Sequence, residues 1–307
     1  MNREKTVFLF PGAGVPPAGK ELNLFLRHKE HFTSYFEKIS SLTGINCAAC
    51  LIEDRLQELG DLGNQFFTYA FSCALADLCK NRMIKPLWCC GYSMGIYTAY
   101  YVSGLYEYKC GISLIENAYK ACIKSSSGKK GGLAAVVGLN YEHLKKIITK
   151  ENFQSIYPAL LLNNECFVFS GLQNELAAFM TLCSENGAYK VSLLPADLPY
   201  HHPVFLKDAS ERIREYLLTM DLKTPCLPVL SNISCRFIQS VEQAADDISS
   251  HLSNCIDWIK ITGFLQKQKI TCAIECGPGI SITQNSRFID LSTRYINIKN
   301  IKNRLTI

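Results

Sequence analysis

The sequence has no long polar tract, no long apolar run, no cluster of charge of one sign and no second CxxC motif, and each absence removes a class of protein. Of 307 residues, 48% are hydrophobic, so without polar tracts the chain is long enough to bury a substantial core as one large domain with a smaller insert. The four apolar residues Val7 to Phe10 are too few for a signal-peptide core and far too few to span a bilayer, so the expected home is the cytoplasm and no membrane partner is expected. The net charge of +5 would suit an acidic partner, but the Lys and Arg residues are dispersed, without the basic stripe of a nucleic-acid surface. Cys47 and Cys50 form a CxxC with no partner pair, which argues against zinc. There is no internal repeat. Fifteen cysteines, an odd number with no export signal, read as reduced and packed thiols rather than a disulfide framework.

What is present is an alternation of strand and helix signals. Thr6 to Phe10 is a short β-favouring run that stops at Pro11-Gly12-Ala13-Gly14, a buried strand entering a glycine-rich turn. Gln65 to Lys80 has helical spacing, Leu87 to Cys90 suits a strand and Met94 to Val102 a helix, which together predict an α/β layout with a parallel sheet. The stretch Ser125 to Gly132 is linker-like. After it, strands over 133–139, 159–162, 167–169 and 189–194 and helices over 141–150, capped by Asn140, and 173–185 give the order βαββαβ, that of a ferredoxin-like unit. Residues 129–196 are therefore expected to form a small inserted subdomain, and residues 1–128 and 197–307 the larger α/β body. In the body, helices are expected over 211–220 and, without a break, over 241–264, with strands at 228–230 and 272–275 and a sharp turn at Gly277-Pro278-Gly279.

Gly91-Tyr92-Ser93-Met94-Gly95 is a GxSxG between a predicted strand and a predicted helix, the context of a nucleophile elbow. The tight turn lifts the hydroxyl clear of the backbone, and the helix N-terminus favours developing negative charge. Ser93 is the candidate nucleophile; the bland alternative is a turn in which Ser93 only caps the helix. A serine hydroxyl needs a base, and there are six histidines. His28, His31 and His143 lie in polar helical stretches and read as solvated surface residues, which leaves His201, His202 and His251. His201-His202-Pro203 follows the insert, where the chain recrosses between subdomain and body and clefts form. The residues alone leave His201 and His202 equal as the base, and a purely structural pair remains open.

The set Phe8-Leu9-Phe10-Pro11-Gly12-Ala13-Gly14, Gly91 to Gly95, Tyr200-His201-His202-Pro203 and Glu275-Cys276-Gly277-Pro278-Gly279, in that order and spacing, resembles the malonyl-CoA:acyl-carrier-protein transacylase family and the acyltransferase domains of polyketide synthases. The resemblance covers nearly the whole chain and implies an α/β-hydrolase-like core with a parallel sheet and an inserted ferredoxin-like subdomain. It implies His201 as the base, oriented by a main-chain carbonyl rather than an acid, with His202 at the variable position. It implies an oxyanion hole built from the backbone N–H groups of Ala13 and Met94; because these are backbone donors, Ala13 in place of the family's Gln need not abolish the hole. Gln65, Ser231 and Asn232 also match family positions. Acyl-CoA enters as substrate, no metal or other bound cofactor is needed, and the partner is a phosphopantetheinylated acyl carrier protein.

Three further positions depart from the family. The Arg that holds the malonyl carboxylate falls on Ala118, and no Arg occurs between Arg82 and Arg212, while Lys120 lies about 200° round the helix. His251 stands where the family has Gln, and Tyr92 where it commonly has His. A malonyl carboxylate opposite Ala118 would be an unpaired buried charge, so malonyl is not expected to be the preferred group. Acyl transfer to a carrier protein is the expected activity. Thioester hydrolysis on the same fold is the nearest rival, and a catalytically silent docking protein is the rival from another class. An ordinary α/β-hydrolase explains neither the insert nor the Pro11 to Gly14 turn.

Overall fold

Where short apolar runs alternate with amphipathic stretches, strands and helices alternate in the computed structural model, which describes residues 4–305. Residues 1–3 and 306–307, at the two ends of the expected body, lie outside the described residues. Strand β1 (Thr6–Phe10) is followed by helices α1 (Glu21–Arg27), α2 (Lys29–Thr43), α3 (Cys47–Ile52) and α4 (Gly60–Asn81). Strand β2 (Cys89–Gly91), α5 (Gly95–Val102) and α6 (Tyr108–Ser125) complete the first stretch. Next come β3 (Gly131–Val137), α7 (Tyr141–Lys150), β4 (Tyr157–Asn163), β5 (Cys166–Leu172), α8 (Gln173–Glu185) and β6 (Lys190–Leu193). The chain continues through α9 (Lys207–Leu218), β7 (Val229–Leu230), β8 (Phe237–Ile238), α10 (Val241–Ser250), β9 (Ile256–Asp257) and α11 (Trp258–Lys267). It ends with β10 (Cys272–Glu275), α12 (Ser281–Arg287), β11 (Arg294–Ile296) and α13 (Lys302–Leu305).

The body sheet has the order β11-β10-β1-β2-β7-β8, parallel except for the β7–β8 pair. β1 lies at its centre, buried along its whole length, and its period of two feeds two cores. Phe8 and Phe10 join the cluster beneath α2, α4, α5 and α6, whereas Val7 and Leu9 pack with Trp258, Ile261 and Leu265 of α11. Each such side chain contributes about 2 kcal/mol. Cysteines behave as small hydrophobes: Cys89 enters the first cluster and Cys90 the second.

The insert contributes four strands of a second sheet, β6-β3-β5-β4, antiparallel to one another, the strand order of a ferredoxin-like unit, and β9 adds a fifth in parallel beside β4. Asn140 caps α7 through Oδ1, which accepts the His143 N–H at 2.9 Å. Ala134, Val136, Phe167 and Phe169 point to the helical side, and the intervening Leu133, Ala135 and Val168 point to the body. Among the described residues, no helix is long and apolar enough to cross a membrane.

Two expectations are corrected. The helix expected over 241–264 is broken: α10 ends in a single 3₁₀ turn at His251–Ser253, and Ile256 and Asp257 pair in parallel with Leu160 and Leu161 of β4. Burying Ile256 between the two units outweighs helical continuation, and Asp257 Oδ1 then accepts the Lys260 N–H to restart the helix. His31 is not a solvated residue either: its Nε2 lies 2.7 Å from the Ala74 carbonyl of α4, and the Nε2 of His28 is buried as well.

Candidate active site

β2 enters α5 through a turn that only glycine permits at both ends. A Cβ on Gly91 would stand 2.1 Å from the Ile96 nitrogen, and one on Gly95 would stand 2.2 Å from the Phe10 carbonyl oxygen. Between them Ser93 has φ of 51°, a left-handed conformation costly for a residue with a side chain and characteristic of a nucleophile elbow. Asn232 braces the turn, its Nδ2 donating to the Gly91 carbonyl at 2.9 Å, and Tyr92 packs edge-on against Trp258.

Ser93 Oγ lies 2.8 Å from His201 Nε2. The other ring nitrogen, Nδ1, lies 2.7 Å from the His251 carbonyl, and the His201 N–H donates to the Leu252 carbonyl at 3.0 Å. A carbonyl can only accept, so Nδ1 carries the proton and Nε2 presents its lone pair to the serine. His201 is 3% exposed; burial lowers its pKa to about 4, opposed by its bonds to backbone, so the ring is neutral at pH 7 with the Nε2 lone pair available. His202 points elsewhere: its Nε2 donates to the Ser155 carbonyl at 3.0 Å, its Nδ1 accepts the Val204 and Phe205 N–H groups, and its ring stacks on Phe205. It ties the insert to the start of α9.

Ala13 and Met94 line the same cavity as this pair, and neither amide donates a backbone hydrogen bond among the described residues. The Ala13 turn is held from behind. Glu21 accepts from the Ala18 and Gly279 N–H groups through Oε1 and from the Lys20 N–H through Oε2. Gly277 lies so close to Pro11 that an added Cβ would stand 2.3 Å from its ring. Glu275, two residues before, accepts the Ile282 and Thr283 N–H groups at the start of α12. Behind the His201 loop, buried Asp247 accepts from Tyr100 of α5 at 2.9 Å and from Ser231, fixing α10 against the nucleophile helix. Burial raises the Asp247 pKa to about 6. Its neighbour in this region, His251, has its pKa lowered to about 3 by burial and then by His201, and its Nδ1 donates to the Ile248 carbonyl at 2.5 Å.

A cavity of about 330 Å³ opens over Ser93, between the body and the insert. Leu133, Ala135, Leu160, Leu162 and Val168 form an apolar wall from the insert. From the body come Tyr97, Ala118, Tyr119, Cys122, Gln65 and Asp61, and Tyr92 and His251 also line it. The candidate site residues Ser93, His201, Ala13, Met94, Tyr92, Ala118 and His251 thus share one cavity. Lys120 points away, paired with Glu116 at 2.6 Å on the exposed side of α6. Sequence reasoning missed Asp61 and the Tyr200 hydroxyl that bonds it; the only local signal was an acid in the first turn of a long helix.

No family model matches the chain. Curated relatives do. A malonyl CoA-acyl carrier protein transacylase of Buchnera aphidicola is 26% identical over 266 residues, which is 86% of this chain and 85% of that protein. Its counterpart in Bacillus subtilis is 25% identical over 279 residues, 90% of this chain and 87% of that protein. The chain is similar in sequence to the malonyl CoA-acyl carrier protein transacylases. It also matches the polyketide biosynthesis protein ThaF of Burkholderia thailandensis at 25% identity over 286 residues, 92% of this chain but only 24% of that much longer protein. Among solved structures, an acyl-carrier-protein S-malonyltransferase from Burkholderia pseudomallei superposes with a TM-score of 0.89 over 99% of this chain and all of that one, at 22% identity. A malonyl transacylase in complex with its type II polyketide acyl carrier protein superposes with a TM-score of 0.88 over 99% of this chain and 98% of that one, at 20% identity. The transacylase fold is therefore that of this chain.

Proposed function

We propose that the protein transfers an acyl group from a CoA thioester, through an ester on Ser93, to the phosphopantetheine thiol of an acyl carrier protein in fatty-acid or polyketide biosynthesis, and that malonyl is not its preferred group. The observation that carries this reading is the 2.8 Å contact between a strained serine Oγ and the unprotonated nitrogen of a buried histidine, with two free amides alongside. His201 Nε2 takes the proton as Ser93 Oγ attacks the thioester carbonyl. The Ala13 and Met94 amides stabilise the oxyanion, and the CoA thiolate leaves with the proton that His201 returns. The carrier thiol takes the acyl group by the same steps in reverse. The relatives named for malonyl transfer, and the neighbour seen with its carrier protein, support the class of reaction and the class of partner.

Against malonyl stands the lining of the cavity. Ala118 occupies the place where the resemblance puts an Arg, and among the described residues no Lys or Arg lines the space. A carboxylate held there would be buried without a counter-charge, at a cost greater than a well-packed neutral chain bears. The test is intact-protein mass spectrometry after mixing with acetyl-, longer acyl- and malonyl-CoA, then with a phosphopantetheinylated carrier protein. Uncharged adducts on Ser93 that pass to the carrier are expected. Rapid loss to water would make the protein a hydrolase, and a dominant malonyl adduct would refute the argument from Ala118.

A further inference from the structure

The acyl end of the cavity carries a charge opposite to the one a malonyl group needs. Asp61, in the first turn of α4, accepts a hydrogen bond from Tyr200 Oη at 2.7 Å, and Gln65 Nε2 donates to that same hydroxyl at 3.1 Å. On α6, Cys122 lies one turn beyond Ala118 and so on the same face. The ionisation of Cys122, Tyr119 and Tyr200 is suppressed first by burial and then by Asp61, so its carboxylate sits within the field of the Ala118 end. Burial, and then the nearby Asp197 carboxylate, raise the Asp61 pKa, while hydrogen bonds from Tyr200, Gln65 and the Asp197 backbone hold it down, so its hydrogen-bond partners are neutral donors. The ion pairs among the described residues all lie elsewhere. Among the described residues, Asp61 is the one acidic side chain lining the cavity, and no Lys or Arg lines it.

A carboxylate in a confined, partly desolvated cavity gains most from a cationic hydrogen-bond donor and repels a second carboxylate. We propose that Asp61 sets the acyl specificity: it accepts a short acyl chain ending in a protonated amine and turns away one ending in a carboxylate. This rests on the acyl-transfer reading of Ser93 and extends it from an uncharged preference to an aminoacyl one.

The test compares rates of Ser93 acylation, read by intact mass, with 3-aminopropanoyl-CoA, its neutral isostere butanoyl-CoA and malonyl-CoA. In the wild type the aminoacyl thioester should outrun butanoyl by on the order of tenfold, the size of one charge-assisted hydrogen bond, with malonyl slowest. Asp61→Asn, with Asp61→Ser as a second substitution, should bring the aminoacyl-to-butanoyl ratio close to one. Because the ratio is taken within each variant, any general loss of rate cancels. A wild-type ratio near one, or a ratio unmoved by both substitutions, overturns this inference while leaving acyl transfer standing. Failure of all three thioesters to acylate the wild type overturns the acyl-transfer reading, and the inference with it.

Discussion

The two ends of the cavity are built on different principles. At Ser93 the groups that act are fixed by backbone: a left-handed φ, two free amides, and a carbonyl that aims His201. At the Ala118 end the groups proposed to choose are side chains: Ala118, Asp61 and Tyr200 line the same cavity, where the resemblance implies a guanidinium, and Tyr200 bonds Asp61. Main-chain geometry survives a change of residue, as at Ala13, whereas a side-chain subsite changes its preference with a single substitution. On the proposed reading, the backbone-held end keeps the chemistry of the similar transacylases and the side-chain end departs from it.

The largest blow to the first end is loss of the base. His201→Ala should slow acylation of Ser93 on the order of a thousandfold, whereas His202→Ala should leave acylation measurable and lower stability, because it opens a cavity beside Phe205 and frees the Ser155 carbonyl. Stopped acylation assays with denaturant melts separate the two, and the reverse pattern would exchange their roles. Acid sharpens the same point. With His201 at about 4, acylation should fall less than twofold between pH 7 and pH 5, where an ordinary imidazole would lose about 25-fold. Stability runs with the same sign. His201 and His251, lowered to about 4 and about 3, contribute stability that is present above about 6.5 and lost as pH falls towards those values. Asp247, raised to about 6, contributes the other way, stability present in acid and lost as pH rises through 6. Urea melts across pH 4 to 8 would read both limbs.

The second end should yield to a double change. Ala118→Arg with Asp61→Asn supplies the fork and removes the opposing charge, so the malonyl-to-butanoyl ratio should rise roughly tenfold over wild type. The smallest effect is expected at the turn. Ala13→Gln restores a side chain but not a donor, and acylation should change by no more than about threefold.

Much of this was readable because it is local. The bounds of β1, α7, α8 and β10 follow from apolar period, caps and turn glycines, and the elbow follows from two glycines round a serine. What was not readable depends on partners distant in sequence. The break after α10 exists because Ile256 meets Leu160, and His31 is satisfied by Ala74 across a helix pair. Asp61 acquires meaning only through Tyr200, 139 residues away, which no periodicity announces.

The short strand β9 carries one more implication. It stitches the insert to the body five residues after His251, whose carbonyl orients the imidazole. A second stitch lies nearby, where Asn163 Nδ2 donates to Asn285 Oδ1 at 3.0 Å. Prising the two halves apart therefore tugs on the strap that aims the base. Width of the mouth and alignment of the proton relay become one mechanical variable, so an oversized guest wedged between the halves would blunt the very group meant to process it.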